Sequence, residues 1–323
     1  MSEQQTVNTQ AIAEKATRIV DTVASVILGK REVVEKAVLT LLCNGHLLLE
    51  DVPGVGKTML SKALARAIGG EFRRVQFTPD LLPADITGSS VFNQKTMEFE
   101  FRPGPIFGNV VLADEINRAT PKTQSALLEA MEERTVTSDG ITHPLPKPFF
   151  VLATQNNVEL TGTYPLPEAQ LDRFFAKLSI GYPDRETEAQ ILKEQQVAHP
   201  IETISPVVTK EELLDMQEGI RHVFVHDAVR DYIVDIVRAT RESNQILLGS
   251  SPRGALLLMH AAQAHAVLHG SDFVRPDDVK ALAPNVLGHR IVPRPDLKSR
   301  GVSPEELILE LCESIPAPVP VGG

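Results

Sequence analysis

The chain has 323 residues, 42% of them hydrophobic, and a net charge of −10; that length predicts about two domains with ample material for a core. No apolar run approaches the ~20 residues a membrane helix needs, and the N-terminus, Met1-Ser2-Glu3-Gln4, has neither the basic nor the apolar region of a secretory signal. The acidic balance argues against a general binder of nucleic-acid backbones.

Residues 1–10 are polar. Beyond them Ile12, Ala16, Ile19, Val20, Val23 and Ile27 recur at helical spacing over Ala11–Ile27. Gly29 interrupts, and Arg31–Cys43 predicts a second helix with Val34, Val38, Leu41 and Leu42 inward. The cysteines, Cys43 and Cys312, both fall in apolar helical surroundings, which predicts packed thiols in a reducing compartment, the cytoplasm.

Leu47–Leu49 reads as a buried strand. Glu50-Asp51-Val52-Pro53-Gly54-Val55-Gly56-Lys57-Thr58-Met59 follows, and then a helix in which Leu60, Leu64, Ala67 and Ile68 share a face before Gly69-Gly70 stops it. Strand, glycine loop and helix in that order is the setting of a phosphate-binding loop. Glycines let backbone N–H groups converge on phosphate oxygens, and the helix N-terminus adds positive potential. The expected nucleotide-binding stretch is Asp51, Val52, Pro53, Gly54, Val55, Gly56, Lys57, Thr58 and Met59. Lys57 would meet the β- and γ-phosphates of ATP, and the Thr58 hydroxyl would meet Mg²⁺. The usual pattern is G-x-x-x-x-G-K-[ST], and Asp51 holds the place of its first glycine. A Gly-rich turn before an amphipathic helix is the plainer reading; the strand and helix on either side weigh against it.

Phe72–Phe77 predicts a short strand, and Thr78–Gly88 carries too many turn formers for a long element. Ser90–Phe101 reads as a β-hairpin, with Met97, Phe99 and Phe101 alternating with Glu98 and Glu100 and a turn at Asn93–Thr96. Val110–Ala113 is a buried strand ending in Asp114-Glu115, about 57 residues after Lys57. Carboxylates at the C-terminal end of a strand stand where ligands bind in open α/β sheets. Asp114 would hold Mg²⁺ through its water shell, and Glu115 would take a proton from the attacking water.

Thr120-Pro121 reads as an N-cap and first helical residue, opening a helix to about Glu133. Thr135–His143 is a second hairpin, turning at Asp139-Gly140. Pro148–Asn156 is another buried strand, and Asn156 has the chemistry to orient a water beside the γ-phosphate; adjacent Asn157 competes for that role. A short helix then carries Asp172-Arg173 toward a strand at Ala176–Ile180. On local grounds Arg173 could equally be an ion-pair partner of Asp172.

After Tyr182-Pro183-Asp184 only helices are expected, roughly at 185–197, 210–220, 227–243, 253–269, 276–283 and 304–314. Thr209-x-x-Glu212 and Ser303-x-x-Glu306 are capping boxes. The predicted organisation is an α/β core over 1–184, an α-helical domain over 185–315 and a flexible tail over 316–323. Arg253 starts one of the helices, where the dipole mildly disfavours a cation. His265 and His269 are four apart, but with Ala and Leu around them and no carboxylate between them they read as helix surface rather than a metal site.

The loop, the acidic pair, Asn156, Arg173 and Arg253, in that order, resemble the AAA+ ATPases. Leu48–Thr58, Ala113-Asp-Glu-Ile-Asn-Arg-Ala119, Ala153-Thr-Gln-Asn156 and Pro165–Phe174 look like the MoxR family in particular, over roughly residues 15–290. The resemblance implies a three-layer αβα P-loop AAA+ core with a parallel sheet, followed by an all-α lid domain. The two helices before the loop would pack beside the adenine, although their spacing alone fits a core pair as well. The first hairpin would be an insert within the helix after the second strand, and the second would precede the first sensor. Asn156 would be that sensor, Arg253 the second sensor in the lid, and Arg173 the finger that reaches a neighbouring subunit's nucleotide. Asp51 departs from the usual loop glycine, as the family commonly does, and Asn157 stands where such proteins often have proline.

The implied function is ATP hydrolysis in a homo-oligomeric ring, a hexamer, that remodels, assembles or activates a client protein complex with a von Willebrand factor A domain partner. A nucleic-acid-stimulated motor is the alternative; the acidic total and the scarcity of positive charge in the hairpins count against it. An ATP-gated scaffold with little turnover is disfavoured by Glu115. A GTPase is disfavoured by the lack of an N-K-x-D base-reading motif.

Overall fold

A computed structural model describes residues 8–156, 162–194 and 200–318. Asn157, Thr161, the expected helix end at 195–197 and the last residues of the tail lie outside them. Two compact units divide the chain: one takes in Arg18–Phe174 and Leu178–Leu214, the other Asp215 onward together with Phe175–Lys177 and the N-terminal residues up to Thr17.

In chain order, helices α1 (Thr9–Ala24) and α2 (Arg31–Leu42) come first, followed by β1 (Leu47–Glu50), α3 (Lys57–Ala67) and β2 (Phe72–Gln76). A single-turn helix α4 (Pro83–Thr87) leads to the hairpin β3 (Gly88–Asn93) and β4 (Glu98–Pro103), and then to β5 (Val110–Asp114). Next come α5 (Pro121–Glu133), the hairpin β6 (Thr135–Ser138) and β7 (Ile141–Pro144), β8 (Phe150–Gln155), the short α6 (Glu168–Leu171) and β9 (Ala176–Leu178). Asp139 and Gly140 turn the second hairpin with φ of 51° and 79°. Two successive positive values define the tight turn that Asp-Gly favours.

The sheet order is β2-β5-β8-β1-β9, and β2–β5, β5–β8 and β8–β1 pair in parallel. A parallel sheet covered on both faces demands near-continuous apolar strands. Accordingly Leu47–Leu49, Val110–Ala113 and Phe150–Ala153 are all 0% exposed. Leu48, Val111, Ala113, Val151 and Ala153 share a cluster with Leu127, Leu128 and Met131 of α5. Strand alternation sends Leu47, Leu49, Leu112 and Leu152 to the opposite face, and α3 contacts the sheet at β5. Each fully buried leucine contributes about 1.5–3 kcal/mol. The register sets Glu50 against Gln155, Ala113 against Ala153 and Gln76 against Asp114. The C-terminal ends of four strands therefore lie side by side along one edge.

His46 braces the entry to β1. Its Nδ1 accepts from Val151 N–H at 2.9 Å, so its Nε2 carries the hydrogen and donates to Met131 O at 3.2 Å. Burial, with the Arg134 guanidinium nearby, holds the ring well below its usual pKa. Unfolded, the ring titrates at about 6.5. The unfolded chain therefore takes up the proton first, and stability is full above that pH and lost as pH falls below it. We expect a loss of about 1 kcal/mol between pH 7.5 and 5.5 from this group. Urea midpoints at the two pH values check it; a His46→Gln variant with an equally steep pH slope would refute it.

Beyond β9 lie α7 (Arg185–Glu194), α8 (Lys210–Ile220), α9 (Asp227–Glu242), β10 (Ile246–Leu248), α10 (Pro252–Leu268), α11 (Pro276–Leu287), β11 (Val292–Pro293), α12 (Pro295–Ser299) and α13 (Pro304–Ser314). Both expected capping boxes form: Thr209 and Glu212 exchange bonds at 2.8 and 3.2 Å, as do Ser303 and Glu306. Two features differ from the sequence reading. The region is not helical throughout, since β10 and β11 pair antiparallel. And α11 runs past Pro284 to Leu287. Proline costs that helix a backbone bond, but Val286 and Leu287 beyond it are buried at 1% and 0% exposure, and their packing outweighs the loss. His265 meets a carboxylate after all, Asp278 Oδ1 at 2.8 Å, contributed by the next helix. Among the described residues no His, Cys, Asp or Glu cluster could hold a metal by itself, and no helix is long and apolar enough to cross a membrane.

Candidate active site

The phosphate loop leaves β1 and ends at α3. Gly54 and Gly56 stand at φ of 87° and 97°, and a Cβ at either would meet nothing within 4 Å. Glycine is needed there for the backbone conformation, not for space. Gly56 is the N-cap of α3, and Lys57 and Thr58 open its first turn. Lys57 Nζ donates to Asp51 O at 3.0 Å. Burial pushes the Lys57 ammonium below its usual pKa, while Asp51, Asp114 and Glu115 pull it back up.

A cavity of about 290 Å³ opens over this turn, with Gly54, Gly56, Lys57, Thr58 and Met59 on one side. Arg74, Gln76, Asp114, Glu115 and Asn156 form the other side. An amide-rich loop, a helix N-terminus and a lysine facing two carboxylates and a hydroxyl are the donor set that a triphosphate with Mg²⁺ requires. Thr58 and Asp114 are the hydroxyl and carboxylate in this lining that could hold such a metal. Asp51, Val52 and Val55 shape the loop without lining the cavity.

The acidic pair is held from several sides. Thr154, itself 0% exposed, donates its hydroxyl to Asp114 Oδ1 at 2.7 Å and accepts from Glu115 N–H at 2.8 Å. Glu115 sits in the left-handed region, with φ 57° and ψ 50°. That conformation costs a residue with a Cβ about 1–2 kcal/mol. Arg74 donates to Asp114 Oδ2 at 2.7 Å and to Gln76 Oε1 at 2.6 Å. Gln76 in turn donates to Glu115 Oε2 at 2.9 Å, and Arg118 reaches the same oxygen at 3.0 Å. Arg74 and Gln76 were not singled out by sequence. The signal available was a strand end, Arg74-Val75-Gln76-Phe77, alternating polar and buried residues.

Asn156 is buried at 6% exposure, and its backbone oxygen accepts from Asn117 Nδ2 at 3.4 Å. Gln124, also unnoticed in the sequence, is 1% exposed; its amide donates to Ile116 O at 3.1 Å and to Tyr164 O at 2.8 Å. It thereby ties the turn after Glu115 to the chain before Arg173. Arg173 stands apart from the cavity. It follows α6 and donates to Leu128 O at 2.9 Å and to Glu132 at 3.1 Å, beside a separate recess of about 410 Å³. Its ion pair with Glu132 on α5 was not visible in the sequence, where Asp172 was the local candidate. Arg253 lies in the other unit, exposed in the first turn of α10. The structure thus brings together Lys57, Thr58, Asp114, Glu115 and Asn156.

Residues 46–176 match the ATPase family associated with various cellular activities (AAA), and residues 238–311 match the AAA lid domain. The chain is 54% identical to the uncharacterized protein YeaC of Bacillus subtilis, over 94% of each chain. It is 43% identical to Chaperone MoxR1 of Mycobacterium tuberculosis, over 93% of this chain and 82% of that one. Among solved structures, one from Cytophaga hutchinsonii superposes with a TM-score of 0.89 at 37% identity, covering 96% of this chain and 97% of the other.

Proposed function

The chain belongs to the MoxR family of AAA+ ATPases, and from that premise we propose that it hydrolyses ATP with Mg²⁺ in a homo-oligomeric ring. The observation that carries this reading is the cavity that sets Lys57 and Thr58 of one helix turn opposite Asp114 and Glu115. Lys57 and the loop amides hold the β- and γ-phosphates. Glu115 takes the proton of the attacking water as that water closes on phosphorus, and Asn156 orients the water. Thr58 and Asp114 would hold Mg²⁺, which would supply positive charge against the phosphates. Arg173 serves the nucleotide of a neighbouring subunit, and Arg253 brings the lid into the cycle.

The work of that cycle is chaperone-like: remodelling, assembly or activation of a client protein complex, in the cytoplasm and with a von Willebrand factor A domain partner. A relative named Chaperone MoxR1 supports the chaperone part. The two hairpins are suited to meet the client. Phe101 stacks on His143 with centroids 3.9 Å apart, which joins one hairpin to the other. On the first, Phe92, Met97 and Phe99 are 43%, 71% and 74% exposed. Its Glu98 and Glu100 are unsuited to a phosphate backbone, which sets the protein client above nucleic acid.

The test is phosphate release from ATP by the purified chain. Release should be steady in Mg²⁺ and fall to background when EDTA removes the metal. A preparation that binds ATP yet releases no phosphate under any Mg²⁺ concentration would leave only a nucleotide-gated scaffold.

A further inference from the structure

Asp51 is the loop residue whose side chain the hydrolytic scheme leaves unused. It occupies the place where the common phosphate loop has glycine, yet it is only 9% exposed and its carboxylate does not line the cavity. That carboxylate accepts from Ile180 N–H and from Gly181 N–H, the latter at 3.2 and 3.3 Å to its two oxygens. Its backbone is equally engaged: its N–H donates to Gln155 O at 3.2 Å, and its carbonyl accepts from Lys57 Nζ at 3.0 Å. A glycine would keep both backbone bonds and lose both carboxylate bonds.

The segment that Asp51 grips leads directly into α7. Gly181 turns it at φ +66°, and Lys30 Nζ, at the N-cap of α2, donates to Tyr182 O at 2.8 Å. Thr187, in the first turn of α7, packs against Gly29 so closely that a Cβ there would lie 2.8 Å from its hydroxyl. Residues 180–187 are therefore held at one end by the phosphate loop and along their length by the start of α2. Lys57, the group that must turn to the phosphates, is bonded to the same residue that holds this segment.

We propose that Asp51 is a positioning residue that fastens the phosphate loop to residues 180–182, so that engagement of Lys57 by nucleotide phosphates is felt where the chain enters α7. The nucleotide part rests on the ATPase reading; the fastening does not. A carboxylate beside a phosphate site also disfavours the anion, so this loop trades some hold on nucleotide for the connection.

The experiment is site-resolved amide exchange on the full chain, with Asp51→Gly and Asp51→Asn, and with ADP as the probe. In Asp51→Gly, protection of Ile180 and Gly181 should fall at least ~10-fold, because bonds to a charged acceptor are lost. In Asp51→Asn one neutral acceptor oxygen remains and the fall should be smaller, ~3-fold. Saturating ADP should change exchange at these two amides in the natural chain and not in Asp51→Gly, a contrast that a purely structural role would not produce. Unchanged protection in Asp51→Gly overturns the proposal, as does an equal ADP effect in both chains. An ADP affinity lowered more than ~10-fold does so too, since Asp51 would then be a nucleotide ligand. If Asp51→Gly fails to fold, unchanged protection in Asp51→Asn is the decisive result. A natural chain that binds no ADP would sink the ATPase reading, and the protection measurements without nucleotide would still decide the fastening.

Discussion

Glu115→Gln is expected to lower kcat for ATP hydrolysis by about 10²–10⁴, the usual contribution of a general base, while ATP still binds. The separation follows from what each group touches. Lys57, Thr58 and the loop amides are unaltered by the change, and they supply the hold on phosphate. The substituted side chain has the same shape as Glu and keeps a carbonyl oxygen, so it can still accept from Gln76 Nε2 and Arg118 Nη1, which now sit 2.9 and 3.0 Å from Glu115 Oε2. The backbone at φ 57° is fixed by the bond from its own N–H to Thr154 and does not depend on the carboxylate. What disappears is the basic oxygen that receives the proton. Single-turnover phosphate release, set beside a fluorescent-nucleotide titration, separates the two effects. Hydrolysis within about threefold of the natural rate would show that the proton goes elsewhere.

That prediction draws on residues legible at two different levels. Lys57 and Thr58 could be read from sequence because strand, loop and helix are contiguous, and Asp114 and Glu115 because an apolar strand ending in two acids is itself a local signal. The apolar runs Leu47–Leu49, Val110–Ala113 and Phe150–Ala153 likewise announced a sheet buried on both faces, because such strands tolerate almost nothing polar. Arg74 and Gln76 were not legible. Their role depends on β2 lying beside β5 with Gln76 opposite Asp114, and strand order is a property of the whole fold. Gln124 escaped for a related reason: a glutamine in an amphipathic helix looks like surface until Ile116 and Tyr164 are found to converge on it. The continuation of α11 through Pro284 shows the converse, a strong local stop signal overridden by burial of the residues after it.

Arg173→Ala is expected to have the largest effect, a loss of about 10³–10⁵ in kcat when the variant is alone, the range for arginines that complete nucleotide-hydrolysing sites in trans. One objection is that Arg173 already has partners: it bonds Leu128 O and Glu132, the ion pair with side chains 33% and 37% exposed. Magnitudes settle the point. A solvent-accessible pair of this kind is worth about 0–1 kcal/mol, whereas a 10³–10⁵ rate gain corresponds to roughly 4–7 kcal/mol of transition-state stabilisation. On the proposed role, the pair with Glu132 is too weak to prevent transfer of the guanidinium to a developing phosphoryl charge. Mixing supplies the decisive measurement. Lys57→Ala subunits cannot hold phosphate properly but carry an intact Arg173, and Arg173→Ala subunits have the reverse defect. In the proposed ring, an interface between the two variants would set an intact phosphate loop against an intact arginine. Two preparations that are each nearly inactive should therefore regain partial ATPase activity on mixing, in proportion to the number of complementary interfaces. If Arg173→Ala alone hydrolyses ATP at close to the natural rate, Arg173 belongs to the scaffold around α5 and another group completes the site.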